Sequence, residues 1–195
     1  GNLPDSAIVD GSQYFDVVPY TGNGGTIDVT TNFDPDFVWY KNRSRTNTFH
    51  YFFDRVRGAN KAVYSNLTDA EDTQFPTFNT QSFITNGSRI VRTNGDHLNF
   101  LNDTYVSWLW KANGASVLNE LGTIDSTVSA NPTAGFSIVT WTGNGTDGAT
   151  IGHGLGVAPK MVIVKTRSQG YRWMVYFQGF TNDLQTLILN TPAAV

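Results

Sequence analysis

The sequence predicts an all-β, antiparallel protein of jelly-roll-like sandwich type, and three observations lead there. Nineteen Gly and seven Pro stand with abundant Thr, Asn and Ser against two Glu (Glu71, Glu120) and five Lys, the reverse of a helical composition. Short apolar runs recur at regular spacing between Gly/Asn turns, as in sandwiches rather than parallel α/β sheets. The chain also repeats itself. Phe15-Asp-Val-Val-Pro-Tyr-Thr-Gly-Asn-Gly24 returns as Phe136-Ser-Ile-Val-Thr-Trp-Thr-Gly-Asn-Gly145 at an offset of 121, and Pro35-Asp-Phe-Val-Trp-Tyr-Lys-Asn-Arg-Ser44 returns as Pro159-Lys-Met-Val-Ile-Val-Lys-Thr-Arg-Ser168 at 124. Internal repetition of this kind marks a tandem array, and arrays bind or build more often than they catalyse.

Residues 14–20 read as a strand ending at Thr21-Gly-Asn-Gly-Gly25, where Asn-Gly accommodates the positive φ of a tight turn. Phe37 and Trp39 share one face of the next strand and Val38 and Tyr40 the other, so that strand is covered on both sides. His50 to Val56 and 61–65 follow as strands. The acidic stretch Asp69-Ala-Glu-Asp72 and the segment around Pro76 make a polar crossing, and strands resume at 82–84 and 88–92. The strand 105–111 alternates Val106, Trp108 and Trp110 on one face, with the indoles anchoring a core or an intersheet seam.

Residues 1–112 are thus a first sandwich repeat, 113–135 a Gly/Ser/Thr/Asn-rich connector, and 136–195 a partial second repeat with strands at 161–164, 174–177 and 187–190. The partial copy has no counterparts of 82–84, 88–92 and 105–111. Exposed strand edges invite pairing, so the expectation is that the parent chain runs on past Val195 or that a neighbouring subunit completes the sandwich. A homo-oligomer is the default.

Composition excludes several classes of partner. A net charge of -3 offers no footprint for a polyanion, so no nucleic-acid partner is expected. Apolar runs of about five residues are far short of a spanning helix, so no membrane insertion is expected. With no Cys, stability rests on packing rather than on disulfides.

The blocks Asp36-Phe-Val-Trp-Tyr-Lys-Asn-Arg43, Phe53-Asp-Arg-Val-Arg-Gly58, Ser65-Asn-Leu-Thr-Asp-Ala-Glu71 and Tyr105-Val-Ser-Trp-Leu-Trp-Lys-Ala112 together resemble a repeat of tail-fibre-like and other virion proteins of bacteriophages, many of them marine. The second half is similar to the next unit of that family, in Val128 to Val139, Gly152-His-Gly-Leu-Gly156 and Leu189-Asn-Thr-Pro-Ala-Ala194. The resemblance implies a concanavalin-A-like or laminin-G-like jelly roll. It further implies a non-enzymatic virion structural protein in a tail fibre, tail tip or head-surface appendage, on an extracellular particle, with other virion proteins as partners. This sequence departs from the family's pattern at Leu109, where Cys is frequent, and at Ser107, where Ala is usual.

No catalytic residues are expected. Neither Glu sits in a paired-carboxylate context, and no Ser-His-Asp or Gly-x-Ser-x-Gly arrangement is present. Gly152 to Gly156 precedes a strand and lacks the Lys-Ser/Thr of a phosphate loop, so it reads as a turn. His50, His97 and His153 are too widely spaced for a metal motif, and no cofactor is expected. The one opening for a cation is Ca²⁺ at Asp69, Glu71 and Asp72. The repeat preserves a Lys-x-Arg step, Lys41/Arg43 and Lys165/Arg167. Two readings stay open for it: a salt bridge to Asp36 or a neighbouring loop, or recognition of an acidic host-surface polysaccharide. Exposed indoles among Trp39, Trp108, Trp110, Trp141 and Trp173 would add stacking surfaces, although most read as core.

Overall fold

A computed structural model describes residues 8, 10–74, 79–93, 98–180 and 185–191. His97 and the segment around Pro76 lie outside these residues. Fourteen strands are described: β1 (Phe15–Thr21), β2 (Thr26–Thr30), β3 (Phe37–Asn42), β4 (His50–Asp54), β5 (Val63–Tyr64), β6 (Asn79–Ile84), β7 (Gly87–Arg92), β8 (Thr104–Trp110), β9 (Val117–Asn119), β10 (Ser126–Asn131), β11 (Phe136–Trp141), β12 (Met161–Val164), β13 (Met174–Phe177) and β14 (Leu187–Ile188). A single 3₁₀ turn, Gly11–Gln13, is capped by the Asp10 carboxylate. All ladders between these strands are antiparallel. The all-β class read from composition is the class found.

The first half is a two-layer sandwich. One layer is ordered β1-β8-β3-β4-β5 and the other β2-β7-β6. Between them lie Val29 of β2, Ile90 of β7, Val38 and Tyr40 of β3, Tyr51 and Phe53 of β4, and Leu109 of β8, all essentially without solvent exposure. Strand alternation selects this set. Val38 and Tyr40 point inward, while Phe37 and Trp39 are only half-buried on the outer face.

β8 decides between the core and the seam left open for its indoles. Its fully buried face is Tyr105, Ser107 and Leu109, whereas Trp108 and Trp110 lie half-buried on the outer face. A Ser fits the core at 107 because its Oγ donates to Val18 O at 2.9 Å, so no buried hydroxyl is left unpaired. The indoles form an outer aromatic seam with Trp39, Phe37 and Phe136.

The two layers are joined by polar contacts as well as by apolar ones. Tyr40 Oη donates to Ser88 Oγ at 2.6 Å, and Gln81 Nε2 donates to the same oxygen at 2.8 Å. All three residues are buried. Desolvation pushes the Tyr40 phenol well above its ordinary range, so it serves as a hydrogen-bond donor throughout the accessible pH range.

Thr21 to Gly25 does turn with a positive φ at Gly24, but it closes no hairpin. It carries the chain from the larger layer to the smaller, because β1 pairs with β8 and β2 with β7. Gly22 is required there, since a Cβ would come within 2.0 Å of Phe100 O. Asn99 staples the corner by accepting from Asn23 N and donating to Asn23 Oδ1 and Gly25 O.

The second half holds two three-stranded sheets, β11-β10-β9 and β12-β13-β14. Residues 113–135, read as a connector, carry β9 and β10, so this stretch supplies two strands of a sheet between its turns. Ser126-Thr-Val-Ser-Ala-Asn131 holds one large apolar side chain among small polar ones, a weak strand signal beside the many turn formers. Buried Asp36 fixes the start of this segment by accepting from Ala112 N at 2.8 Å and Gly114 N at 3.2 Å.

The expected stability effect of the interlayer contact is direct. Tyr40→Phe removes one donor and leaves the Gln81 bond intact, costing about 1 kcal/mol; Ser88→Ala strands two buried donors and costs about 2–3 kcal/mol. Urea unfolding of the two variants beside the parent measures both, and the expected order is Ser88→Ala below Tyr40→Phe.

Candidate functional site

The two Lys-x-Arg steps lie at the ends of different strands. Lys41 and Arg43 sit at the end of β3, and Lys165 and Arg167 follow β12. Lys41 Nζ lies 2.9 Å from His50 Nε2, across the β3–β4 register. Burial first, and the neighbouring ammonium second, depress the His50 pKa, so the ring is neutral near pH 7 and its Nε2 accepts from the lysine. The Arg43 side chain is exposed. The partner of Asp36 is Arg55, at 3.1 Å, in place of the Asp36 to Arg43 bridge that sequence allowed.

Arg167 is committed to a structural role. Its guanidinium clamps Glu71 through two bonds of 2.9 and 2.8 Å, and Glu71 N donates to Arg167 O at 2.8 Å. Glu71 also takes a bond from Arg57 Nη1 at 3.0 Å, and Arg57 is itself buried against Asp54. Burial alone would raise the Glu71 pKa, but the bonds from Arg167 and Arg57 outweigh it and hold the carboxyl below its ordinary value. Lys165 Nζ donates to the carbonyls of Thr166 and Gln169. Its pKa is lowered by burial, against the opposing charge of Asp69.

The acidic stretch is therefore already occupied by protein groups. Both Glu71 oxygens face guanidinium groups, Asp72 Oδ2 accepts from the Tyr64 hydroxyl, and Asp72 Oδ1 accepts from Gln74 N. Among the described residues no three His, Asp or Glu side chains converge as metal ligands would. His153 Nδ1 accepts from Leu155 N at 3.2 Å within the Gly-rich turn.

Trp173 joins the halves, a role that nothing in its sequence context marks. It is 4% exposed, packs edge-on to Phe52 at 5.1 Å, and donates from Nε1 to Tyr64 O at 2.8 Å and Leu67 O at 3.1 Å. Its place just before β13 repeats the place of His50 at the start of β4. No sequence signal distinguishes an indole facing its own sheet from one facing a neighbour.

Beside this joint runs a groove of about 340 Å³ lined by Trp39, His50, Ser65, Asn66, Leu189, Asn190 and Thr191. It draws on both halves, and Lys41 borders it through His50. Two of its lining side chains, Trp39 and Ser65, carry buried polar atoms, Nε1 and Oγ, without a hydrogen-bond partner among the described residues. Asn190 Oδ1 accepts from Trp173 N, tying the groove wall to the joint. Indole, imidazole and amide groups line this shallow concavity, with the Lys41 ammonium held at His50 on its border.

A family model spans residues 10–195, from the 3₁₀ turn through both halves. The chain belongs to the DUF7483 family, a domain of unknown function. No curated protein and no solved structure matches it. The DUF7483 match extends across the joint, so the family comprises the sandwich together with the sheets docked on it.

Two outcomes test the joint. Trp173→Ala removes a buried indole and two hydrogen bonds and is expected to destabilise by about 3–5 kcal/mol; hydrogen exchange should rise first in 174–177 and 187–188. The second concerns pH. Because the folded Glu71 pKa is lowered, its contribution is complete above the ordinary carboxylate value of 4.5 and is lost as pH falls below that through the folded pKa. Chemical unfolding at pH 6 and pH 3 should show a smaller acid-induced loss in Glu71→Gln than in the parent.

Proposed function

We propose that this protein is a non-enzymatic structural module of a tailed-phage virion, part of a tail fibre, tail tip or head-surface appendage that spaces or presents a host-recognition surface. The observation that carries this reading is the locked joint between the halves. Trp173 and the Arg167–Glu71–Arg57 chain hold the second half on the sandwich through one buried indole and a bidentate ion pair. Such a joint suits a stiff appendage, in which successive units keep a fixed orientation under load.

The repeat supports the same reading. β12-β13-β14 are ordered as β3-β4-β5 are, and Met161↔Phe177 and Met174↔Ile188 stand in the places of Phe37↔Asp54 and Tyr51↔Tyr64 once β13 is shifted by one residue from the offset of 124. The jelly-roll family and the phage assignment rest on the resemblance of the sequence blocks, which is an argument by family analogy.

A second reading, a carbohydrate-binding module for host envelope glycan, draws on the groove between the halves. Its indole, amides and bordering Lys41 would recognise sugar hydroxyls and an acidic substituent, with Arg43 at the exposed end of the same strand.

Mass spectrometry of purified phage particles tests the leading reading: the parent protein is expected at stoichiometric levels, and its absence from particles would sink the idea. For the second reading, binding to extracted host envelope polysaccharide is the measurement. Saturable binding that weakens at least fivefold in a Lys41→Ala/Arg43→Ala variant of unchanged Tm supports a recognition site, and no binding restricts the module to spacing.

A further inference from the structure

β12 is an edge strand with an unusual history in its own chain. Gln178 N donates to Lys160 O at 2.8 Å, one position outside the β12–β13 ladder and in its register. Antiparallel pairs alternate, so Lys160, Val162 and Val164 bond toward β13, while Met161 and Ile163 turn their N–H and C=O groups to the open side. Among the described residues no strand pairs there. The side chains are apolar and uncovered: Met161 is 56% exposed and Ile163 44%.

The first half shows what fills that side. By the same alternation, Arg55 N donates to Asp36 O, so Asp36, Val38 and Tyr40 bond toward β4. Phe37, Trp39 and Lys41 therefore bond toward β8, as the Arg43 N to Thr104 O bond in the same register requires. Met161 and Ile163 are the repeat counterparts of Phe37 and Trp39. The backbone groups left open in β12 are those that β3 gives to β8. In the first half β8 also bridges β3 to β1; in the second half β11, the counterpart of β1, and β12 lie in separate sheets.

We infer that the open edge of β12 is a docking site for an antiparallel strand of the β8 pattern. The incoming strand alternates aromatic and small or aliphatic residues as Thr104 to Trp110 do, and places a bulky side chain opposite Ile163 as Trp108 stands opposite Trp39. Recognition is by main-chain hydrogen bonds, with side-chain alternation fixing register. A second copy of this chain pairing β12 to β12 is the competing arrangement. The β8 pattern is favoured because this chain already uses it against the same backbone groups.

The probe is a synthetic peptide of residues 104–111, added to the 195-residue chain. Hydrogen exchange is expected to slow at Met161 and Ile163 on addition of peptide, with Val162 and Val164 little changed. N-methylation decides the mode. In β8 the residues bonded to β3 are Thr104, Val106, Trp108 and Trp110, so methylating the Trp108 nitrogen should weaken binding at least tenfold, whereas methylating the Ser107 nitrogen should weaken it less than threefold. Equal binding by a scrambled peptide, equal loss from both methylations, or absence of protection at Met161 and Ile163 overturns the proposal. So does a concentration-dependent dimer that protects the same two amides and excludes the peptide, because self-pairing would then own the edge.

Discussion

The backbone ladder on either side of β8 is the constraint from which the rest of the molecule follows. A strand that arrives after residue 104 inserts between β1 and β3, so it must displace water from both edges at once and bring together segments nearly ninety residues apart. Loop-closure entropy opposes such a contact until it forms, and the apolar gain on closing it is what offsets that cost. Once β8 is seated, Leu109 completes the core against Val38, and Trp108 and Trp110 complete the outer seam. The inner layer β2-β7-β6 then has a continuous surface to cover.

Polar contacts in this protein set geometry more than they add stability. The Tyr40, Gln81 and Ser88 group fixes one sheet relative to the other, because a shift of either layer would leave buried donors without an acceptor. The Asp54, Arg57, Glu71 and Arg167 chain does the same between the halves. Burying ions costs desolvation that the pairing roughly repays, so the gain lies in a single allowed orientation. Packing of Trp173 on Phe52 and Val63 supplies the apolar part of that joint.

This division bears on function. Ion pairs and an indole that hold two units at one angle would serve the proposed appendage role, which needs surfaces kept at fixed spacing. The groove at the joint exists because the two units meet there, since Leu189, Asn190 and Thr191 close it against Trp39 and His50. A ligand site at such a place would be formed by docking, and neither unit would carry it alone.

By itself the sequence determined the all-β class and the positions of most strands, because alternation and turn residues are local signals. β3, β4, β8, β12 and β13 were legible within one or two residues, and the buried state of Ser107 and Leu109 follows from strand alternation once one face is known. Only the tertiary structure decided which face of β8 is the core, since indoles on one side and Tyr105, Ser107 and Leu109 on the other are both compatible with a buried strand. It also decided between the two readings open for Arg167, setting it in a salt bridge to Glu71 of a loop ninety-six residues away, and it sorted the chain between sheets at Thr21 to Gly25. β9 and β10 stayed hidden because small polar residues form strands only where a partner strand and a packed face await them. Partner choice is a long-range property, and the alternation that makes a strand does not say beside which strand it will lie.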